Sequence, residues 1–347
     1  MVSMFHGGDI YSVGKDVIDF SSNINPLGPI EGLEKYLFEN FKDVKVYPDI
    51  QYRKLKSNVA NYLNVKPEEV IVGNGAMEIL NNLILMFDKI VTFIPCFSEY
   101  VLRPKIYNKE LVTIEMSKEF EIKSKYLECL CKNLSGGELI ILGNPNNPTG
   151  RKIEKETLLE IAALTLKKGS FLFLDETFHE FTEGYNSIEL LKDFKNIIIL
   201  RAATKFFALP GIRLGYAYAS EEFVNIYSTY ELPWSVNTFA ELASDIIFNQ
   251  QYIEKSKEYI KEQRIYVLKR LKEINNLVPH ETDCNFILIK LNKYNESYVY
   301  EKMLEKDILI RKCSTFPGLD NKYIRVAIRK KAENDLLLES LEEIMNS

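Results

Sequence analysis

No run of apolar residues in this chain approaches the roughly 20 needed to cross a bilayer. The longest, such as Leu139–Leu142 and Phe171–Leu174, are strand-sized. There is no basic surplus either: 44 lysines and arginines face 49 acidic residues, a net charge of −5 that does not favour nucleic acid or an anionic membrane. A few arginines can still bind phosphate locally, so an anionic substrate stays open. Met1–Gly8 lacks the charged start and apolar block of a signal peptide. The five cysteines (Cys96, Cys129, Cys131, Cys284, Cys313) are odd in number and without paired metal spacing. Cys129 and Cys131 look like half of a zinc site, but they read better as reduced cysteines on one helix, and no metal is expected. Internal repeats and low-complexity linkers are missing. These absences point to a cytoplasmic chain with neither nucleic acid nor membrane as partner.

What the chain does have is length and core. At 347 residues and 46% hydrophobic content it suggests two domains, or one large and one small. From about residue 69, short β-rich runs alternate with helical stretches: Glu69–Val72, Ile90–Ile94, Leu111–Glu115, Glu138–Leu142, Ser170–Leu174, Asn196–Leu200 and Leu214–Ala219. The runs are near-continuously apolar, as strands buried on both faces should be. This predicts an α/β fold, a parallel or mixed sheet covered on both faces. After Trp234 the texture changes to one long charged helical region, about Asn237–Ile274. Strand runs Asn285–Leu291, Ile308–Lys312 and Tyr323–Ile328 follow, and then a helix with Leu337, Leu341, Ile344 and Met345 on one face. The expected division is an N-terminal arm over 1–30, a large domain over 31–233 and a smaller α+β domain over 234–347, with the arm packing on the small domain.

Four segments carry chemistry, each at the C-terminal end of a predicted strand, where ligand sites of open α/β sheets lie. Asp175 and Glu176 form an acidic pair after Phe171–Leu174, expensive to bury unless something uses it. Asp175 there suits a metal, a helix cap or a protonated ring nitrogen, and the residues alone do not separate these. Lys205 is flanked by Phe206, Phe207 and Ala208, an apolar setting that lowers a lysine pKa and suits imine chemistry; a snorkelling lysine is the plainer alternative. Arg213 reaches the same place if the chain doubles back at Pro210-Gly211. Gly143-Asn-Pro-Asn-Asn-Pro-Thr-Gly150 reads as a turn. Gly73-Asn-Gly-Ala-Met-Glu78 lets backbone N–H groups at a helix N-terminus approach an anion.

Together, and in this order and spacing, Asn144–Gly150, Leu174-Asp-Glu-Thr-Phe178 and Thr204-Lys-Phe-Phe-Ala-Leu-Pro-Gly-Ile-Arg-Leu-Gly-Tyr216 resemble the fold-type I pyridoxal 5′-phosphate (PLP) enzymes of the class I/II aminotransferase branch. The likeness runs from Phe20 to about Ala327. It implies a mixed, mostly parallel seven-stranded sheet with helices on both faces, beside the smaller domain. It also implies roles. Lys205 would carry PLP as a Schiff base and shuttle the Cα proton. Asp175 would keep the pyridine nitrogen protonated. Asn147 would donate to the ring 3′-oxygen, and Phe97 would stack on the ring. Gly75, Ala76 and Met77, with Thr204 and Arg213, would hold the cofactor phosphate. Tyr47, in Tyr47-Pro-Asp49, would reach that phosphate from a partner subunit, implying a homodimer with shared sites. Arg325 would grip the substrate carboxylate, although a strand arginine is also a plain edge charge.

Two subfamilies are near: histidinol-phosphate aminotransferases and the threonine-phosphate decarboxylases of cobalamin biosynthesis. His6-Gly-Gly8, Asp19–Pro29 with Asn25, Pro95-Cys-Phe-Ser-Glu-Tyr100, Pro233–Asn237 and Arg311-Lys-Cys-Ser-Thr-Phe-Pro-Gly-Leu319 are similar to the decarboxylases. Phe178 fits too, since aminotransferases usually carry tyrosine there. The resemblance thus implies a phosphorylated amino acid as substrate, with Asn25 among the substrate contacts and its phosphate held by His6, Arg311 and Arg329. Ala202, where relatives have serine or threonine, and Met77 are departures that remove donors from the cofactor phosphate. A non-catalytic PLP-binding regulator would carry a fused helix-turn-helix domain, for which the few residues ahead of the core pattern leave no room.

Overall fold

The structure, a computed structural model, describes residues 6–123 and 126–347; the first five residues of the expected arm lie outside it. The strands in chain order are β1 (Ile18–Asp19), β2 (Val70–Asn74), β3 (Lys89–Ile94), β4 (Glu110–Glu115), β5 (Leu139–Gly143), β6 (Phe171–Asp175), β7 (Ile197–Ala202) and β8 (Leu214–Ala219). They are followed by β9 (Leu277–Pro279), β10 (Phe286–Leu291), β11 (Ile308–Leu309), β12 (Arg311–Lys312) and β13 (Tyr323–Ala327). Strands β2 to β8 form a seven-stranded sheet in the order β2-β8-β7-β6-β5-β3-β4. Only β8 runs against its neighbours, so the sheet is mixed and mostly parallel, as the apolar runs predict.

Alternation along the central strands divides the core. Ile140, Leu142, Leu172, Leu174, Ile197 and Ile199 join one apolar cluster, while Leu139, Ile141, Phe173, Ile198 and Leu200 join another. Successive side chains of a strand point to opposite faces, so each strand feeds both layers. The same rule parts the acidic pair at the end of β6. Asp175 follows Phe173 to one face and Glu176 follows Leu174 to the other, where Arg201 of β7 meets it. Arg201 donates to Glu176 Oε2 from Nε at 3.2 Å and Nη2 at 3.0 Å, and Asn144 and Ser187 donate to Oε1. Both Glu176 and Arg201 are buried.

A four-stranded antiparallel sheet, ordered β12-β13-β10-β9, lies beyond Trp234. The N-terminal arm reaches it at Phe20, whose carbonyl accepts from the N–H of Ala327 in β13 at 2.8 Å, while β1 pairs in parallel with β11 in a separate two-stranded sheet. Two sequence expectations need correction here. The helical region 237–274 is two helices, Thr238–Ser244 and Gln250–Glu273, because Asn237 and Asn249 each cap a new N-terminus by accepting from the N–H three residues on. The run Ile308–Lys312 is two short strands in different sheets, with β11 serving the arm and β12 pairing with β13. Among the described residues, no helix is long and apolar enough to cross a membrane.

Replacing Arg201 with methionine leaves Glu176 buried without its cation. Loss of one partner of a buried pair costs about 3–5 kcal/mol, so Arg201→Met should lower the urea midpoint sharply. Glu176→Leu in the same chain should recover part of the loss. A single mutant with an unchanged midpoint would contradict this role for the pair.

Candidate active site

The C-terminal ends of β2, β5, β6 and β7, the arm and the strands β12 and β13 converge on a cavity of about 240 Å³. Asp175 enters it from β6. Its Oδ2 accepts from the Tyr100 hydroxyl at 2.7 Å, and its Oδ1 accepts from the backbone N–H of Thr177 at 3.0 Å and from the Thr177 hydroxyl. Burial and the adjacent Asp175 carboxylate hold the Tyr100 phenol well above its usual range, so Tyr100 stays a donor. Three donors hold the Asp175 carboxylate in place at the cavity wall. Asn147 lines the wall, and its Oδ1 accepts from Arg325 Nη1. Arginine has only donors, so this contact fixes the amide with its NH₂ group turned away from Arg325. Phe97 also lines the cavity, edge-on to Tyr100 at 5.6 Å.

The helix Ala76–Met86 starts at the cavity with Ala76 and Met77 among the lining residues. No side chain caps it, so its first N–H groups stay available to an anion. Gly75 does not line the cavity, but it stands behind Arg213. A Cβ on Gly75 would lie 2.3 Å from Arg213 Nη2, and its φ of +78° is one that glycine takes readily. Arg213 itself has a φ of 60°, a strained value often found at binding sites. Thr204, Lys205 and Arg213 complete this end. The Lys205 amine is enclosed by protein except on the cavity side. Burial, followed by the charges of Arg325 and Arg213, pushes its pKa down to about 8.

Arg325 of β13 and Arg311 of β12 face each other across the antiparallel pair and both line the cavity. Arg325 Nη2 donates to the Ser21 carbonyl at 2.8 Å, while its Nε, buried, has no partner. Burial draws Arg325 down to about 10, which leaves it charged at neutral pH. Burial also lowers Arg311. His6 lines the mouth, with Nε2 2.9 Å from the Glu99 carboxylate and its ring tilted against Phe97. The arm docks closely there, since a Cβ on Gly7 would fall 2.2 Å from the Ser21 carbonyl oxygen.

Asn25 and Arg329, expected at the site, are elsewhere, while Tyr47 is expected at a partner's site. Asn25 lies behind the Lys205 loop. Its N–H donates to the Lys205 carbonyl at 2.9 Å, and its amide donates to the Phe206 carbonyl, Tyr252 and Ser256. Arg329 is spent on the Asp19 carbonyl at 3.0 Å and on Glu333 at 2.8 Å, outside the cavity. Tyr47 is 79% exposed and rests on Trp234, far from enclosure by this chain. Conversely, Asn23, Tyr100 and Phe316 line the cavity without having been singled out. Asn23 is 1% exposed and its Oδ1 has no hydrogen-bond partner, which marks it as a ligand contact more clearly than Asn25. Tyr100 had a signal, three residues after Phe97 at the start of a helix. Asn23 and Phe316 had none beyond their neighbours.

A buried lysine, a braced carboxylate and an uncapped helix N-terminus at one sheet edge suit imine chemistry on an anionic ligand. Comparison with known proteins narrows this. Residues 15–341 match the family profile of aminotransferase class I and II, and the chain belongs to that family. A Caldanaerobacter subterraneus protein provisionally named threonine-phosphate decarboxylase is 39% identical over 97% of this chain and 92% of its own length. The threonine-phosphate decarboxylase of Salmonella typhimurium is 30% identical over 98% and 96%. Among solved structures, the histidinol-phosphate aminotransferase of Clostridium acetobutylicum superposes with a TM-score of 0.89 at 33% identity, covering 94% of this chain and 98% of its own.

The residues present fit PLP. The Lys205 amine, the Asp175 carboxylate, the NH₂ of Asn147 and the phosphate cradle of Ala76, Met77, Thr204 and Arg213 border one space. Only the neutral amine attacks an aldehyde. With its pKa lowered from 10.5 to about 8, Lys205 is mostly protonated below pH 8 and mostly free above it. The rate at which apoenzyme takes up PLP should therefore rise about tenfold per unit from pH 6 to pH 7.5 and level off above about pH 8.5. Stopped-flow absorbance would check it. A rise continuing to pH 10 would mean that the amine is not desolvated.

Proposed function

We propose that this chain decarboxylates L-threonine O-3-phosphate to (R)-1-aminopropan-2-yl phosphate for cobalamin biosynthesis. The observation that carries the reading is the pair of buried arginines, Arg325 and Arg311, at directly opposed positions on the cavity wall. Two cations suit a substrate with two anionic groups, a carboxylate and a phosphate. Arg325 would take the carboxylate, and Arg311 the phosphate with help from His6. Arg329 drops out of this set because its guanidinium is already engaged.

Bound PLP supplies an electron sink for whichever bond at Cα is broken. The chain does the rest. Asp175, braced by Tyr100 and Thr177, would hold a proton on the ring nitrogen. The NH₂ of Asn147 would donate to the ring 3′-oxygen, and the helix N-terminus, Thr204 and Arg213 would hold the phosphate. Phe178 lines the cavity and packs edge-on to Phe286 at 5.0 Å, adding no hydroxyl of its own at the ring. Anchoring both ends of the substrate with Arg325 and Arg311 would fix which Cα bond is aligned for cleavage, here the Cα–carboxylate bond, and Lys205 would supply the proton that replaces the departing CO₂ at Cα.

Aminotransfer from histidinol phosphate or a related amino acid to 2-oxoglutarate is the second reading, favoured by the likeness to the Clostridium acetobutylicum enzyme. Holoenzyme incubated with threonine phosphate, with and without 2-oxoglutarate, separates the two. CO₂ should appear in both mixtures and glutamate in neither, and Lys205→Ala should abolish turnover. Absence of CO₂ from both threonine and serine phosphate, with glutamate formed from histidinol phosphate, would overturn the decarboxylase reading.

The proposal includes a homodimer in which Tyr47 reaches the neighbouring site. Phe38, Val46 and Tyr47 are 81%, 69% and 79% exposed, and Leu232 and Trp234 are exposed as well. A cluster of large exposed apolar side chains marks an association surface. Sedimentation should give twice the chain mass, and Tyr47→Phe mixed with Lys205→Ala should form hybrids with two unlike sites. A fully active monomer would refute it.

A further inference from the structure

Arg311 and Arg325 occupy a cross-strand pair, where like charges repel. They are nevertheless 6% and 5% exposed. One ring serves both. The Arg311 Cζ lies 5.1 Å from the Phe316 ring centroid, and the Arg325 Cζ lies 5.5 Å from the same centroid. The negative face of an aromatic ring attracts a cation, and more so where water is excluded. Arg311 Nη2 also donates to the Thr315 hydroxyl at 2.6 Å, so residues 315 and 316 together fix its direction.

The turn that carries Phe316 is held from behind. Glu296 is 3% exposed at the start of the helix Glu296–Glu305. It accepts from the N–H of Cys313, from the N–H of Ser314 at 2.9 Å and from the Ser314 hydroxyl. On the far side, Gly318 lies against Ile94 and Pro95, where a Cβ would approach both within 3.2 Å. Phe316 is 3% exposed, and its neighbours leave it little freedom to move.

We propose that Phe316 is a positioning residue that sets substrate class, holding the two guanidinium groups at a fixed separation so that they take two anionic groups of one ligand. The inference rests on the assignment of Arg325 to the carboxylate and Arg311 to the phosphate. It adds that selectivity for a two-anion substrate resides in an uncharged side chain. An aromatic that merely filled the core would affect all ligands alike.

The test uses holoenzyme and three ligands: threonine phosphate, with both anions; L-threonine, with only the carboxylate; and ethanolamine phosphate, with only the phosphate. KM is measured for the first and competitive Ki for the other two, in wild type, Phe316→Leu and Phe316→Tyr. Phe316→Leu should raise KM for threonine phosphate about tenfold, equivalent to about 1.4 kcal/mol. Each one-anion Ki should rise less than about threefold, and Phe316→Tyr, which keeps the ring, should stay near wild type. PLP loading, which depends on Arg213, reports whether the variants are folded. Equal losses for all three ligands, no loss, or no rescue by tyrosine would each overturn the role of Phe316. If wild type itself does not prefer the two-anion ligand, the substrate reading falls and the inference falls with it. If wild type prefers it and Phe316→Leu keeps the preference, only the inference falls.

Discussion

The structure depends on how two adjacent carboxylates are buried at the end of β6. Strand alternation sends Asp175 and Glu176 to opposite faces of the sheet, and both are buried. Glu176 is neutralised by Arg201 from the neighbouring strand, with Asn144 and Ser187 completing its shell. Asp175 is presented to the cavity with Tyr100 and Thr177 as its braces. A carboxylate so held has acceptor capacity that suits a cationic ring nitrogen.

The opposite wall is its electrostatic counterpart. Lys205, Arg213, Arg311 and Arg325 gather around one cavity, and two of the arginines, after burial, help lower the lysine pKa so that the amine is mostly neutral above pH 8. The charges that attract anions thus also prepare the nucleophile. Arg325 contributes a third effect, since its contact with Asn147 Oδ1 decides which way that amide faces. One side chain thereby links the substrate end of the cavity to the cofactor end.

Much of this was legible in the sequence because it rests on local rules. Continuous apolar runs gave buried strands, and the strand ends gave Lys205, Asp175, Asn147 and the Gly75–Met77 turn. What misled was treating neighbours in a motif as neighbours in space. Asn23 and Asn25 belong to one string, yet Asn23 enters the cavity and Asn25 braces the Lys205 loop from behind. Arg325 and Arg329 share another, and only Arg325 faces the ligand space, while Arg329 ties the arm to Glu333.

The sequence by itself determined the sheet and the strand-end location of the candidate chemistry, and its resemblance to a known family singled out the lysine and aspartate. The sheet follows from hydrophobic period, and the strand-end polar residues from a desolvation cost that suggests a use. Tertiary structure alone decided which polar side chains remain unspent. Asn25 and Arg329 are consumed by carbonyls and a carboxylate contributed by distant segments. The Asn23 Oδ1 and the Nε atoms of Arg325 and Arg329 are left without partners, and Phe316 lies against two arginines from separate strands. Whether a hydrogen-bonding group is free depends on what the rest of the chain brings beside it, and no local pattern encodes that.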